Sequence, residues 1–501
     1  MLLLGIDLGT SGTKAVIVDE RSRVVASATR EHPVNTPRPG WSEQDPEEWW
    51  RSTIAAVRAA LASPSVRARD VGAIGLSGQM HGLVMLGAGG EILRPCILWN
   101  DQRSAPQCER IERELGVERV VELTGNRMLP GFMAPKILWC REHEPQLERR
   151  AATHLLPKDW LRYRMSGVPA TEVSDASGTA LFDCGKRCWS AEMLTALRIA
   201  RTTLPECAES PVVTAQLAGN VASELGLAPG IPIVGGAGDQ AAAAIGAGIV
   251  REGRVSVNIG TSGVVFAACD AWRPAPRGEL HAFCHAVPER WHVMGVMLSA
   301  GGSLRWYRDT IARIEAADAY DRLATEASTI VPGADGLTFL PYLTGERCPH
   351  SNPNARGAFV GLSTAHSRAH LTRAVFEGIT FGLRDNLDLA RSLGVTASTV
   401  ELSGGGGRSA FWRQLCADVF QTPVAAARGD EGGGFGVALL AGVGAGVWKS
   451  VDAAVDAAAT SPSDVTLPQC AKAYDLPYAR FRALYADLSG AFERSAVAQQ
   501  T

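Results

Sequence analysis

Asp7 stands where an apolar run gives out into a turn of small and hydroxylated residues, Gly5-Ile6-Asp7-Leu8-Gly9-Thr10-Ser11-Gly12-Thr13-Lys14. The turn amides and the hydroxyls of Thr10, Ser11 and Thr13 are neutral donors suited to phosphate oxygens, and Lys14 adds positive charge. Gly9 and Gly12 permit positive φ and leave room for a ligand to approach the main chain. A carboxylate is a poor partner for phosphate unless a metal ion lies between them, so Asp7 points to phosphate chemistry with a metal. Half a chain later, Val257-Asn258-Ile259-Gly260-Thr261-Ser262-Gly263 repeats the Gly-Thr-Ser-Gly core. Two similar halves, each opening on a phosphate-type hairpin, suggest duplicated domains facing each other across a nucleotide. Asn258 takes the place of Asp7 in the second copy, so the halves are not chemically equivalent.

A second carboxylate follows Ile231-Pro232-Ile233-Val234 and the nearly side-chain-free loop Gly235-Gly236-Ala237-Gly238. Asp239 then opens an alanine-rich helix over 241–247. It reads either as a helix cap or as a reactive group in a loop kept bare so that a ligand can come close. It falls near the midpoint of the chain, where two halves would form a cleft.

These residues need strands and helices to hold them. Met1–Ile6 and Ala15–Val18 flank the first hairpin as strands, and Val24–Thr29 adds a third. Asp45-Pro46 starts a helix with Trp49, Ile54, Val57 and Leu61 on its apolar face. Val71–Ser77 is a strand ending in Gly78-Gln79-Met80-His81-Gly82, and Leu98-Trp99-Asn100-Asp101-Gln102-Arg103 repeats that pattern. Polar groups beside an aromatic at strand ends suit a polyol, which needs directed hydrogen bonds and an apolar wall. Leu155–Trp160 and Ser174–Thr179 read as polar loops and caps. Strands are expected over His281–Val287 and His292–Leu298, and a long amphipathic helix over Leu371–Ala390. Val400–Ser403 runs into Gly404-Gly405-Gly406-Gly407-Arg408-Ser409 and a helix over 410–420, a plausible seat for a nucleotide. Gly432-Gly433-Gly434 and Gly436 are expected to lead into a helix over 437–448, and 471–497 into a terminal helix packing back on the body.

Composition sets the frame. The chain has 501 residues, too many for one core, with 46% hydrophobic and 20% charged residues and a net charge of −3. That balance gives no electrostatic reason to expect nucleic acid or an anionic membrane as partner. No run reaches the ~18–20 apolar residues of a membrane span, and Asp7 interrupts Leu2–Leu4 too early for a signal peptide. The 11 cysteines are odd in number and unpaired in spacing, which fits reduced thiols in cytoplasm. His281, Cys284 and His285 lie within five residues of one another but lack a fourth metal ligand nearby.

In order along the chain, Gly5–Lys14, Trp41–Trp50, Gly78–Gly82, Leu98–Arg103, Gly131–Lys136, Leu155–Trp160, Gly238-Asp239-Gln240, Gly260–Gly263, Phe339–His350 and Ser403–Ser409 resemble the FGGY carbohydrate kinases, and among them those acting on D-xylulose. The resemblance implies an α/β protein of two ribonuclease-H-like domains of the actin and hexokinase type, 1–245 and 246–501, with sugar and ATP in a central cleft. It implies Asp239 as catalytic base, and Met80, His81 and Gln240 with Asp239 as sugar-binding positions. Asp7 would lie beside Mg²⁺. Ser11, Thr13 and Lys14 would form the first phosphate hairpin, Thr261 its counterpart, and Gly404, Gly405 and Ser409 the nucleotide seat. The implied reaction is ATP-dependent phosphorylation of D-xylulose to D-xylulose 5-phosphate, the alternative being another ketopentose or a polyol such as ribulose. A homodimer is compatible with it. Three departures stand out: Gln240 where some relatives have Asn, Gly407 for the usual Ala, and Gly433-Gly434-Phe435, whose expected consequence falls on the adenosine side.

Overall fold

The computed structural model describes residues 1–427, 432–458 and 464–498, with side chains as far as 495. The first hairpin is built by β1 (Leu2–Leu8) and β2 (Gly12–Asp19), to which β3 (Val24–Glu31) adds antiparallel. On the other side of β1, β4 (Val71–Gly78) runs parallel, followed in the sheet by β6 (Pro232–Val234) and β5 (Val213–Gln216). The short β7 (Ala237–Gly238) pairs with the end of β4.

The second half repeats this pairing. Its hairpin is β8 (Gly253–Ile259) and β9 (Gly263–Cys269), extended antiparallel by β11 (Trp291–Met297) and then β10 (His281–Cys284). Parallel to β8 runs β12 (Ala397–Ser403), then β13 (Val424–Ala426), with β14 (Val465–Thr466) at the edge. The duplication holds to the residue. Asp7 lies opposite Ser77 across β1 and β4, as Asn258 lies opposite Ser403 across β8 and β12.

Helix α1 (Pro46–Leu61) is capped by the Asp45 carboxylate and buries Trp49 and Trp50 under the first sheet. Helix α2 (Asp239–Gly246) leaves β7 directly, with Gly238 rather than Asp239 at the cap position. Helix α3 (Arg368–Ser392) is the expected amphipathic helix, its middle from Thr372 to Leu383 wholly buried and its two ends reaching the surface. None of the described helices is long and apolar enough to cross a membrane.

Helix α4 differs from expectation. It spans Gly432–Gly444, so the glycines are its first turns rather than its leader, and it ends four residues early. Intrinsic propensity disfavours this, at roughly 1 kcal/mol per glycine relative to alanine. Packing overrides it. A Cβ at Gly5 would fall 1.9 Å from the Gly434 oxygen, one at Gly75 2.0 Å from the Val437 oxygen, and one at Gly436 1.9 Å from the Ala242 oxygen. Bare backbone thus meets bare backbone between β1, β4, α4 and α2. The terminal helix, α5 (Asp475–Ala498), packs on α3 as expected, with the Tyr478 hydroxyl donating to Asp385 at 2.6 Å. Gly404–Arg408 also differs, forming a short helical turn instead of an open loop.

Gly75→Ala inserts a methyl where no atom fits and should lower stability by about 1–3 kcal/mol or more. The midpoint of urea denaturation measures this, and an unchanged midpoint would mean that α4 yields freely.

Candidate active site

Three neighbouring parallel strands end together. Asp7 near the end of β1 faces Ser77 on β4, and Gly238, the last residue of β7, faces Gly78, the last of β4. Asp239 is the next residue, so the sheet delivers both carboxylates to one edge, where open α/β sheets bind ligands. Burial pushes the Asp239 carboxyl up to about 7, and the negative charge of Asp7 adds to the rise. Burial also raises Asp7, against the pull of Lys14, which lies directly opposite it on β2. Asp7 Oδ1 is buried with no hydrogen-bond partner among the described residues. An unsatisfied anionic oxygen of this kind suits a hard divalent cation such as Mg²⁺. The described residues contain no cluster of three or more His, Cys, Asp or Glu arranged to hold a metal, so His281, Cys284 and His285 form no such centre.

The first hairpin is tightly tied. The Gly9 amide donates to Gly12 O at 3.0 Å, Trp99 Nε1 donates to Thr10 Oγ1 at 2.9 Å, and Gln44 Nε2 donates to Thr10 O at 2.7 Å. Ser11 is exposed at the tip and Lys14 is half-buried on the face of Asp7. Thr13 is not part of the hairpin's binding face. Its side chain is fully buried and its hydroxyl is paired with Ser52 of α1 at 2.8 Å. Residues alternate along a strand, so Lys14 and Thr13 cannot share a face.

The second hairpin and the glycine run meet in one cavity of about 470 Å³, lined among others by Thr261, Gly405, Ser409, Tyr320, Asp321 and Trp412. Gly404 borders it with φ +74°, and a Cβ there would sit 2.5 Å from the Ile259 oxygen. The Ser409 hydroxyl accepts from the Trp412 amide at 3.3 Å and so caps the helix that follows. Tyr320 and Asp321 escaped the sequence reading because their segment carries no glycine or strand-end signal. Gly433 and Gly434 lie elsewhere than expected. A Cβ at Gly433 would come 3.1 Å from Asp7 Cγ and one at Gly434 3.8 Å from Asp7 Cβ, so these glycines pack beside Asp7 and do not line the cavity of Gly405 and Ser409.

Met80 and His81 form a third group. Gly238 is bare because a Cβ there would come 2.9 Å from Met80 Cγ. His81 holds a positive φ of 71°, and its ring donates from Nδ1 to Gly178 O at 2.7 Å. Burial, with Lys136 and Arg347 nearby, pulls the imidazole down to about 3, so it is neutral with Nε2 as an acceptor. Phe132 covers it, with ring centres 4.7 Å apart. Gln240 is tied to Asp239 by its backbone amide at 2.7 Å but lines a different cavity, of about 330 Å³, with Asn258, Ser262 and Ser403 of the second half.

Two buried lysines support the site, one of them, Lys158, in a segment that reads from sequence as polar loop and cap. The fully buried Lys136 ammonium donates to Gly131 O at 2.6 Å, His81 O at 3.0 Å and Ile97 O at 3.2 Å, clasping two loops and the short strand Cys96–Ile97. Lys158 sits among Asp159 at 2.6 Å, Asp175 at 3.5 Å and Glu172 at 3.8 Å, all buried. Burial alone would lower the Lys158 ammonium, but these carboxylates outweigh it and raise it. Glu172 accepts from Ser174 Oγ at 2.8 Å, and Ser174 Oγ in turn accepts from the Gly238 amide at 3.0 Å. The segment 172–178 therefore holds both the residue before Asp239 and, through Gly178, the ring of His81.

Residues 2–246 match the N-terminal domain of the FGGY family of carbohydrate kinases, and residues 255–445 its C-terminal domain. A xylulose kinase from Escherichia coli K12 is 42% identical over 97% of this chain and 99% of its own length. One from Klebsiella pneumoniae is 43% identical over 88% of this chain and 90% of its own. The crystal structure of a xyloylose kinase from Brucella ovis superposes with a TM-score of 0.91 at 39% identity, covering 98% of this chain and all of that one.

Lys136→Met keeps the stem of the side chain but removes the donor to the Gly131 and His81 carbonyls, while Ile97 O keeps the Leu83 amide at 3.0 Å. Stability should drop by about 1–3 kcal/mol, read from the urea midpoint, and the His81 turn should loosen with it. An unshifted midpoint would show that water replaces the ammonium without cost.

Proposed function

The chain belongs to the FGGY family of carbohydrate kinases, and on that premise we propose that it transfers the γ-phosphoryl group of ATP to the C5 hydroxyl of D-xylulose, yielding D-xylulose 5-phosphate and ADP. The observation that carries the chemistry is the placement of Asp239, at a strand end beside Asp7 and within the same network as Met80 and His81. Xylulose kinases similar over nearly the whole chain support the choice of sugar.

Phosphoryl transfer asks a protein for positioning and charge neutralisation more than for covalent chemistry. Asp239 accepts the proton of the sugar hydroxyl as its oxygen attacks the γ-phosphorus, and the leaving oxygen departs on ADP. A carboxyl raised to about 7 is about half ionised at neutral pH, yet basic enough to take that proton. Met80 and His81 orient the sugar, with Nε2 of the neutral His81 accepting from a hydroxyl and Phe132 packing against carbon. Gln240 reaches the sugar only from the second-half side of the cleft, where its cavity lies. Ser11 and Lys14 from one hairpin and Thr261 from the other grip the phosphates. Gly404, Gly405 and Ser409 seat the nucleotide, whose base finds its wall in the cavity of about 470 Å³. Asp7 would hold Mg²⁺, which supplies neutralisation of the phosphate charge when bound. Residues 1–245 carry the sugar side and 246–501 the nucleotide side, and closing the cleft between them excludes water as a competing acceptor.

Release of ADP measured over a panel of pentuloses and polyols tests the reading. D-xylulose should have the highest kcat/KM, and a clear preference for ribulose or a polyol would transfer the assignment to a sister kinase. Asp239→Asn should retain sugar and ATP binding while kcat falls about 10²–10⁴-fold; unchanged turnover would remove its role as base.

The pH profile follows from the same residue. Only ionised Asp239 accepts a proton, so kcat/KM should fall roughly tenfold per unit below about pH 7 and level off above it. A flat profile between pH 5.5 and 8 would contradict this.

A further inference from the structure

Beside His81 lies a second histidine, from the other half of the molecule, that the reaction just described does not use. His281 opens β10, and its Nδ1 lies 2.7 Å from Asn126 Oδ1. The Asn126 amide nitrogen is already donating to Thr124 O at 3.1 Å and Ala282 O at 2.9 Å. Its oxygen is therefore the acceptor, and His281 Nδ1 must carry the hydrogen. That leaves a lone pair on His281 Nε2, as the bond to Gly178 O leaves one on Nε2 of His81. Neither Nε2 is hydrogen-bonded to any described residue, yet neither is sealed in, unlike the two ring nitrogens of the core residue His292.

The two imidazoles share their surroundings. Phe132 is 4.7 Å from His81 and 6.3 Å from His281 between ring centres, and Phe283 is 6.1 Å and 5.6 Å from them. Burial lowers both rings to about 3, with Arg347 contributing to each, so both stay neutral at physiological pH. The result is a pair of fixed acceptors, one from each half, framed by two aromatic faces. Ketose hydroxyls donate hydrogen bonds and ketose C–H groups pack on aromatic rings, so this frame is complementary to one end of an open-chain sugar. His81 adjoins Met80 and, through it, Gly238 and Asp239. His281 is the farther of the two from Phe132, at 6.3 Å against 4.7 Å for His81, and no contact links it to Met80 or Gly238 among the described residues.

We propose that His281 is a sugar-contacting, specificity-determining residue, accepting through Nε2 a hydrogen bond from a hydroxyl at the end of the sugar remote from the phosphorylated one. Bound in this way, the sugar touches both halves and its binding energy favours the closed cleft. The inference rests on the sugar-kinase reading, and the two fail differently.

The test compares wild type with His281→Phe and His281→Asn on D-xylulose and on analogues each lacking one hydroxyl. His281→Asn retains a donor toward Asn126 but, being shorter, places no acceptor at the position of Nε2, and it covers the case in which His281→Phe does not fold. In wild type, loss of one particular remote hydroxyl should cost roughly tenfold in kcat/KM, the scale of one hydrogen bond to a buried acceptor. In the variants D-xylulose should lose a similar factor, the penalty for that one analogue should vanish, and KM for ATP should stay within twofold. Variants that keep the wild-type KM for sugar, or lose equally on every analogue, would overturn the role of His281. Wild type that phosphorylates no pentulose would instead overturn the underlying reading.

Discussion

Two carboxylates that repel each other are forced together by a sheet. Because β4 lies between β1 and β7, Asp7 and Asp239 emerge at one edge with only Ser77 and Gly78 between their strands. Both are raised by burial, and the charge of Asp7 raises Asp239 further. Such a pair costs folding free energy wherever both are ionised. What offsets it is the scaffold: the long register of β1 on β4, the short pairing of β7 beside it, and α4 pressed beneath Asp7 so that a Cβ at Gly433 would come 2.9 Å from Ser77 Oγ and 3.1 Å from Asp7 Cγ. The strain is useful. A base with its affinity for protons raised toward neutrality, next to a carboxylate that suits a cation, is the pairing phosphoryl transfer to an alcohol requires.

The same closeness explains what could be read in advance. Phosphate hairpins and the loop before Asp239 betray themselves because bare backbone has to be spelled with glycine, and their positions at strand ends follow from short apolar runs. Thr13 was also legible in principle. Period-two alternation along β2 places Ala15 and Ile17 in the core, and Thr13 shares their face, so its hydroxyl had to look toward α1. Counting hydroxyls in the motif overrode that geometry. The start of α4 was hidden for the opposite reason. Local propensity argues against a glycine-led helix, and only the seat offered by Gly5 and Gly75 makes it the best packing.

The supports beneath the site were not legible. Lys136 and Lys158 sit in segments that, taken alone, resemble ordinary helix caps, and a lysine is normally read as solvated. Their burial is a tertiary fact. Lys136 replaces water with three carbonyls, two from loops and one from a short strand, and Lys158 replaces it with three carboxyl groups. Neither arrangement leaves a trace in spacing: even the near partners, Gly131 for Lys136 and Asp159 for Lys158, become partners only once the side chain is turned inward. Tyr320 and Asp321 belong here too, since cavity walls are assembled by packing rather than by motif.

Duplication clarifies why only one half holds the charge. Asn258 occupies the position of Asp7, opposite Ser403 as Asp7 is opposite Ser77, and its amide nitrogen donates to the Ser403 hydroxyl at 2.8 Å. A carboxylate there would have faced a polyphosphate from the second side of the cleft with no lysine across the hairpin, since Val264 stands opposite Asn258 where Lys14 stands opposite Asp7. Amide in place of acid removes that repulsion and satisfies the neighbouring hydroxyl at once. One hairpin geometry thus occurs in two charge states: the copy with Asp7 faces Lys14 beside Asp239, while the copy with Asn258 is neutral and, through Thr261, opens onto the cavity of about 470 Å³.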